Sequence, residues 1–314
     1  MALQPYSVDR PVDPYLNIDD YDPDADLMVL NLGPQHPSTH GVFRVKLVLD
    51  GEVVVKAVGY PGYLHRGVEK LLEKLTYHQQ TPIVDKNDYL APMINEMALN
   101  MAFEQLGGVE VPARAQHVRT LLAELQRIAS HLVAIGTFGL DVGGALGGGA
   151  SLFMYCFRDR ELILDCFEAL TGCRFHYNTH CIGGNRHDLP AGFEGQVLAA
   201  LQTIEARLDD YRAMMTENPI FVDRTADVGV IPTALALGLG LSGPNARASG
   251  VDIDLRRDAP YAAYGGLDVR PAVRSAGDCQ ARFLCRVDEI RESIRLTRLL
   301  LAGVLPAPSF QLHT

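Results

Sequence analysis

Asn31-Leu32-Gly33-Pro34-Gln35-His36-Pro37-Ser38-Thr39-His40-Gly41-Val42-Phe43 sets two histidines four residues apart on a segment punctuated by glycine and proline, and it leads into a run of alternating apolar residues. Pro34 and Pro37 favour extended backbone and exclude a helix, so His36 and His40 are expected on a stiffened loop and not on one helical face. The same loop also reads as a surface turn whose histidines simply find hydrogen bonds. Beyond it, Val45, Leu47 and Leu49 alternate, Asp50-Gly51 turns the chain, and Val53, Val55 and Ala57 resume the alternation. A β-hairpin over 42–58 follows from that pattern.

After the hairpin the apolar period changes from two to about 3.6. Leu90, Ile94, Met97 and Met101 predict a helix from Asp88, a good N-cap, to Gly107, with Pro92 in its first turn. Leu121, Leu125, Ile128, Leu132 and Ile135 predict a second over 118–140, and Val197, Leu201, Ile204, Leu208 and Tyr211 a third over 193–217, stopped by Pro219. Ile290, Ile294 and Leu299 or Leu300 predict a fourth over 286–303. The fold class is therefore α+β: a small N-terminal antiparallel β portion in front of a long-helix bundle. Residues 1–27, with seven Asp and four Pro, read as an acidic extended arm, 28–70 as a β-rich portion bearing the histidine loop, and 71–314 as the helical bundle.

Composition narrows the function classes. With 28 basic against 38 acidic residues the formal charge is −10, the opposite of a phosphate-backbone binder, so no nucleic acid partner is expected. Six cysteines contain no Cys-x-x-Cys pair and the N-terminus lacks a secretory layout, which fits free thiols in a reducing compartment. The run Leu132–Phe157 has the length of a membrane span. Its glycines and Asp141 argue against one, since each Gly costs about 1 kcal/mol in a helix and a central Asp about 3 kcal/mol more.

Two further residues attract attention. Tyr89 lies beside a predicted helix N-terminus, where backbone N–H groups favour developing negative charge; on position alone it also reads as an interfacial or core tyrosine with a satisfied hydroxyl. Asp141 is the single charge between Leu132 and Phe157, and a buried Asp needs a partner. That partner is either local backbone at a helix end or a histidine whose imidazolium it would stabilise.

The loop at 31–43 is followed, in order, by Gly62-Tyr63-Leu64-His65-Arg66-Gly67, Asp85-Lys86-Asn87-Asp88-Tyr89, Pro112-Ala113-Arg114, Leu140-Asp141, Gly183-Gly184 with Asp188-Leu189-Pro190, Ala248-Ser249-Gly250-Val251 and Gly277-Asp278-Cys279. Over residues 28–303 this series resembles the 49-kDa or D subunit of respiratory complex I, NADH-quinone oxidoreductase, a family related to the nickel-iron hydrogenase large subunit. The resemblance implies a hydrogenase-large-subunit-like fold and a peripheral-arm subunit that helps form the quinone-reduction site of a proton-pumping enzyme. It assigns His40, Tyr89 and Asp141 to that site as catalytic and quinone-binding residues, and those three only; Thr137 and His36, which lie near two of them in sequence, are weaker quinone-binding candidates. His40 and Tyr89 would donate to the quinone oxygens, and Asp141 would orient or recharge His40. Quinone is then the substrate and this chain holds no metal or cofactor of its own. Iron–sulfur clusters and FMN would sit in partner subunits: an adjacent iron–sulfur subunit holding the terminal cluster, other peripheral-arm subunits and a membrane-arm subunit at the quinone channel. The implied location is peripheral, on the cytoplasmic face of the inner (cell) membrane.

The sequence departs from the family in a longer Gly143–Gly149 segment, in Lys86 where Arg is common, in Cys181 where a basic residue is common, and in lacking the chain that follows the last helix in relatives. The alternative is a non-catalytic scaffold or assembly subunit, or the same role in a complex fed by another donor such as reduced ferredoxin. Three competing motifs fit less well. Gly238-Leu239-Gly240-Leu241-Ser242-Gly243 matches a dinucleotide string, but Pro244 follows and no amphipathic helix is expected to open there. His176, His180, Cys181 and His187 fit no common zinc spacing. Nickel-iron chemistry needs two pairs of thiolates that the sequence lacks.

Overall fold

The computed structural model describes residues 27–144 and 147–303. The expected acidic arm, apart from its last residue, lies outside the described residues, as do 304–314. The chain divides into two compact units, one running to Arg66 and the other beginning at Gly67.

The first unit is built on a three-stranded antiparallel sheet of order β1–β4–β5, formed by β1 (Met28–Leu32), β4 (Arg44–Asp50) and β5 (Val53–Tyr60). The predicted hairpin is β4–β5, turned at Gly51 with φ 59°, which glycine adopts without strain. The sequence alternation does not survive intact. Val48 pairs with Lys56 and Leu49 with Val54, leaving Val55 unpaired, and the consecutive residues Val48 and Leu49 are the buried ones. Val53, Val54 and Val55 all stay exposed. Between β1 and β4 a two-residue ladder, β2 (Gln35–His36) with β3 (Gly41–Val42), encloses a single turn of 3-10 helix at Pro37–Thr39. Proline at the first position of that turn is compatible with it, so the expectation of a wholly extended loop is corrected.

The second unit is helical. Short helices α1 (Val68–Leu72) and α2 (Tyr77–Val84) lead to α3 (Pro92–Gly107), α4 (Ala113–Gly143) and α5 (Gly149–Thr171). A two-stranded hairpin, β6 (His180–Cys181) with β7 (Gly184–Asn185), precedes α6 (Phe193–Thr216) and α7 (Pro219–Thr225). The chain continues through α8 (Thr233–Gly238), α9 (Gly243–Ala248) and α10 (Leu255–Asp258) to α11 (Cys279–Ala302). Helix α4 packs against α3, α5, α7, α11 and the β7 strand. Its predicted core face, Leu121, Leu125, Ile128, Leu132 and Ile135, is fully buried, as is that of α6.

Boundaries move where capping differs from expectation. Helix α3 opens at Pro92 and not at Asp88, because Asp88 Oδ1 instead accepts the Leu90 N–H (3.0 Å) in a turn ahead of it. Helix α11 opens at Cys279, seven residues before the expected start, because Asp278 accepts the Ala281 N–H at 2.7 Å as its N-cap. The run Leu132–Phe157 is not one element: α4 ends at Gly143 and α5 begins at Gly149. Among the described residues no helix is long and apolar enough to cross a membrane. The glycines let α4 and α5 approach closely: a Cβ on Gly139 would meet Leu152 Cδ2 at 2.7 Å, and one on Gly149 would meet the Gly139 carbonyl oxygen at 1.9 Å.

Candidate functional site

The histidine loop owes its shape to its own polar groups. His36 Nδ1 accepts the Ser38 N–H (3.2 Å), so its neutral ring carries the proton on Nε2. Thr39 Oγ1 lies 2.9 Å from the carbonyls of both His36 and Gly41, closing the turn. His40 follows in the left-handed region (φ 51°, ψ 35°), a conformation that costs a non-glycine residue energy, and it is exposed. His36 thus shapes the loop while His40 is the ring presented by it.

In the second unit, Tyr89 sits in the turn between α2 and α3. Asp88 braces that turn: besides the Leu90 N–H, its carbonyl accepts Ala91 N–H (3.1 Å) and Asn95 Nδ2 (3.3 Å). Gln126 Nε2 of α4 donates to the Leu90 carbonyl (2.7 Å) and ties the turn to the bundle. Tyr89 is 44% exposed, with its ring 5.8 Å from that of Phe175, which in turn lies 4.4 Å from the His176 ring. The result is a half-open aromatic corner carrying a phenol.

Thr137 and Asp141 lie four residues apart on one face of the last turns of α4. Thr137 Oγ1 donates to the Val133 carbonyl (2.8 Å), which leaves its hydroxyl only an acceptor for a ligand. Asp141, expected as a buried charge, is exposed and falls inside the helix, not after it. Within this unit Tyr89 and Asp141 are not in contact. Fifteen helical residues separate Gln126, which holds the Tyr89 turn, from Asp141, roughly 22 Å at about 1.5 Å per residue.

Behind the aromatic corner lies a polar interior that sequence periodicity does not reveal. Helix α3 buries Glu96, Asn100 and Glu104 beside Met93 and Met97, whereas Leu90, Ile94 and Met101 of the predicted stripe are only half-buried. Arg119 of α4 is fully buried and donates to both Glu104 oxygens (2.9 and 2.7 Å) and to the carbonyls of Cys181 and Gly184 (2.8 and 2.9 Å). Glu96 accepts the His180 N–H (2.8 Å), and the Asp85 carboxyl meets it from the end of α2. Burial, reinforced by the hydrogen bond and charge of Asp85, pushes Glu96 up to about 8. Burial and the charge of Arg119 push His180 down to about 3, so its ring is neutral and donates from Nδ1 to Asn185 Oδ1 (2.7 Å). The one signal for this interior in the sequence is the spacing of Glu96, Asn100 and Glu104 at four-residue intervals on a helix.

The competing motifs also find places. Arg114 holds Asp188 through contacts of 3.0 Å, and among the described residues no group of three or more His, Cys, Asp or Glu could hold a metal ion. A helix does open after the glycine string, contrary to expectation, but α9 is six residues long and follows another helix, without the strand a dinucleotide fold requires.

Comparison with known proteins decides the lineage. The family described as respiratory-chain NADH dehydrogenase, 49 Kd subunit, matches residues 147–311. The D 2 subunit of NADH-quinone oxidoreductase from Sinorhizobium medicae (strain WSM419) is 49% identical over 269 residues, 86% of this chain and 65% of that protein. The chain belongs to the 49-kDa, or D-type, subunit family. The D subunit from Clostridium beijerinckii is 46% identical over 281 residues, covering 90% of this chain and 75% of its own length. Its counterpart from Citrifermentans bemidjiense is 44% identical over 284 residues, covering 90% and 72%. The chain thus spans about two thirds to three quarters of the length of these relatives. The quoted motifs and the α+β architecture agree with this membership.

Proposed function

We propose that the chain is a peripheral-arm subunit of a proton-pumping NADH:quinone oxidoreductase and serves its quinone-reduction site. The observation that carries the reading is Tyr89, a phenol held half-open on a braced turn in a chain of the 49-kDa subunit family. Reducing a quinone to a quinol takes two electrons and two protons, and the carbonyl oxygens need donors as negative charge develops on them. Tyr89 supplies one O–H donor. His40, exposed at the end of its 3-10 turn, supplies an N–H donor, and Asp141, exposed on the last turns of α4, is the carboxylate that the family resemblance assigns to the same chemistry. Thr137 offers an acceptor and His36 holds the loop in shape.

In this reading the electrons come from elsewhere. FMN and iron–sulfur clusters are held by partner subunits, the terminal cluster by an adjacent iron–sulfur subunit, and other peripheral-arm subunits and a membrane-arm subunit complete the assembly. The protein then lies peripherally at the cytoplasmic face of the cell membrane. The test is recovery of the tagged chain from native membranes in mild detergent. Iron-rich partners with inhibitor-sensitive NADH:quinone reductase activity are expected; partners recovered without that activity would overturn the catalytic part of the proposal.

A further inference from the structure

Six unpartnered buried polar atoms fall in one place behind Tyr89: Asp85 Oδ1, Glu96 Oε1, His176 Nδ1, Asn178 Oδ1, Thr179 Oγ1 and His180 Nε2. Buried polar groups are almost always hydrogen-bonded, so such a concentration needs a cause. Asp85 and Glu96 are 1% and 0% exposed and their side chains meet. Carboxylates only accept hydrogen bonds. Two of them facing each other, each with an oxygen that no donor reaches, are satisfied together if one proton lies between them. The backbone around them is unusual as well: His176 and Asn178 both have positive φ (64° and 45°), conformations that non-glycine residues hold only where surrounding structure imposes them.

We propose that Asp85 and Glu96 share one proton and that the pair is a proton store for the chemistry at Tyr89. This deepens the quinone-site reading and rests on it. His176 connects the two places. Its Nδ1 stands 3.1 Å from Asp85 Oδ2, outside hydrogen-bonding alignment at rest, and its ring packs on Phe175, which packs on Tyr89. The balance is simple. One proton leaves the pair for His176 Nδ1, the imidazole gives its Nε2 proton to water at the half-open corner, and that water reprotonates the Tyr89 phenolate left by donation. The pair, now carrying two negative charges, takes a proton back through the 30% exposed His176 by the reverse route, which also restores the ring's tautomer. Two charges in that buried setting are costly, which favours prompt reprotonation. The groups facing the pair from other elements are His176, beside Asp85, and Tyr177, which feels both carboxyls, in the connection after α5, and Cys181 of β6, which feels Glu96; His180 reaches Glu96 through its backbone N–H. The shift of Glu96 to about 8 agrees with a proton held at neutral pH.

Infrared spectroscopy of the full chain tests the store without reference to turnover. A protonated-carboxyl carbonyl band is expected at pH 7, bleaching as pH rises through about 8 and absent from Glu96→Gln and Asp85→Asn. A wild-type band set unchanged across that range, which needs no variant to fold, would overturn the shared proton. In the assembled complex, Glu96→Gln should lower quinone turnover by about a hundredfold, in the range of lost general-acid catalysis, and remove the alkaline limb centred on the pair. Wild-type turnover and pH profile in that variant would overturn the link to Tyr89. If the band behaves as expected but Tyr89→Phe leaves turnover unchanged, the quinone-site reading fails while the shared proton stands.

Discussion

Arg119 offers the sharpest test of how the interior behind the aromatic corner is held. Its guanidinium, fully buried, makes a bidentate pair with Glu104 and also binds the carbonyls of Cys181 and Gly184, while Glu104 Oε1 accepts the Gly183 N–H at 2.8 Å. One ion pair therefore ties α3, α4 and the β6–β7 hairpin. Removing the carboxylate charge with Glu104→Gln leaves a buried cation underpaired, which costs about 3–5 kcal/mol. Arg119→Met should cost at least as much, because two hairpin carbonyls lose their donor at about 1–3 kcal/mol each in addition to the orphaned Glu104. The double replacement Arg119→Met with Glu104→Leu removes the uncompensated charge but not the stranded backbone groups. It should recover only part of the loss and remain about 2–4 kcal/mol below wild type. Urea unfolding of the full chain, with m-values compared, reads these differences. A Glu104→Gln cost under about 1 kcal/mol would refute the reasoning, since no buried guanidinium without its counter-charge is that cheap. A second readout comes from His180. Loss of the Arg119 charge removes one of the two forces that hold this imidazole at about 3, so its titration, followed by NMR, should move upward in Arg119→Met.

Other consequences are as direct. Burial alone would raise Glu289, yet the His131 hydrogen bond (2.6 Å) and the Arg247 guanidinium (2.9 and 2.5 Å) hold it down to about 2 from the usual 4.5. Burial keeps the His131 ring below its ordinary range, so at pH 7 it acts on Glu289 as a neutral hydrogen-bond donor beside the charged Arg247 guanidinium. A depressed carboxylate stabilises the fold above its unfolded value and stops doing so below its folded one, so about 3 kcal/mol should be lost between pH 4.5 and 2. Glu289→Gln should flatten that stretch of the stability curve. Gly149→Ala places a Cβ against the Gly139 carbonyl and should lower the melting temperature by the equivalent of about 1–3 kcal/mol, whereas Gly195→Ala, with open space around it in α6, should raise it slightly. His40→Gly relieves the left-handed backbone and should leave stability of the full chain unchanged or higher by about 1 kcal/mol, while quinone turnover of the complex collapses.

The legible and illegible parts of the fold divide along physical lines. The apolar stripes of α4 and α6 are plain in the sequence because their inward positions are nearly all Leu, Ile or Val. Helix α3 misleads because its inner face is built from Glu96, Asn100 and Glu104, whose burial depends on Asp85, Arg119 and the β6–β7 hairpin, far away in sequence. Helix α5 hides behind the glycine cluster, which holds the break between α4 and α5 and also lets the two helices approach closely. The 3-10 turn at Pro37–Thr39 is lost to any reading of proline as a helix breaker alone, although proline suits a first turn. Motif order marks the candidate residues themselves. Their exposure, the engaged hydroxyl of Thr137 and the position of Asp141 within its helix depend on the packed fold and have no local signature.

The central claim, that Tyr89 donates to the quinone, is tested most directly by Tyr89→Phe in the assembled, iron-loaded complex. The ring contact with Phe175 survives that change and only the hydroxyl is lost. Quinone reduction should fall by at least about a hundredfold, with subunit composition and iron content as in wild type. Unimpaired turnover by an intact complex would contradict the claim and leave the chain a scaffold.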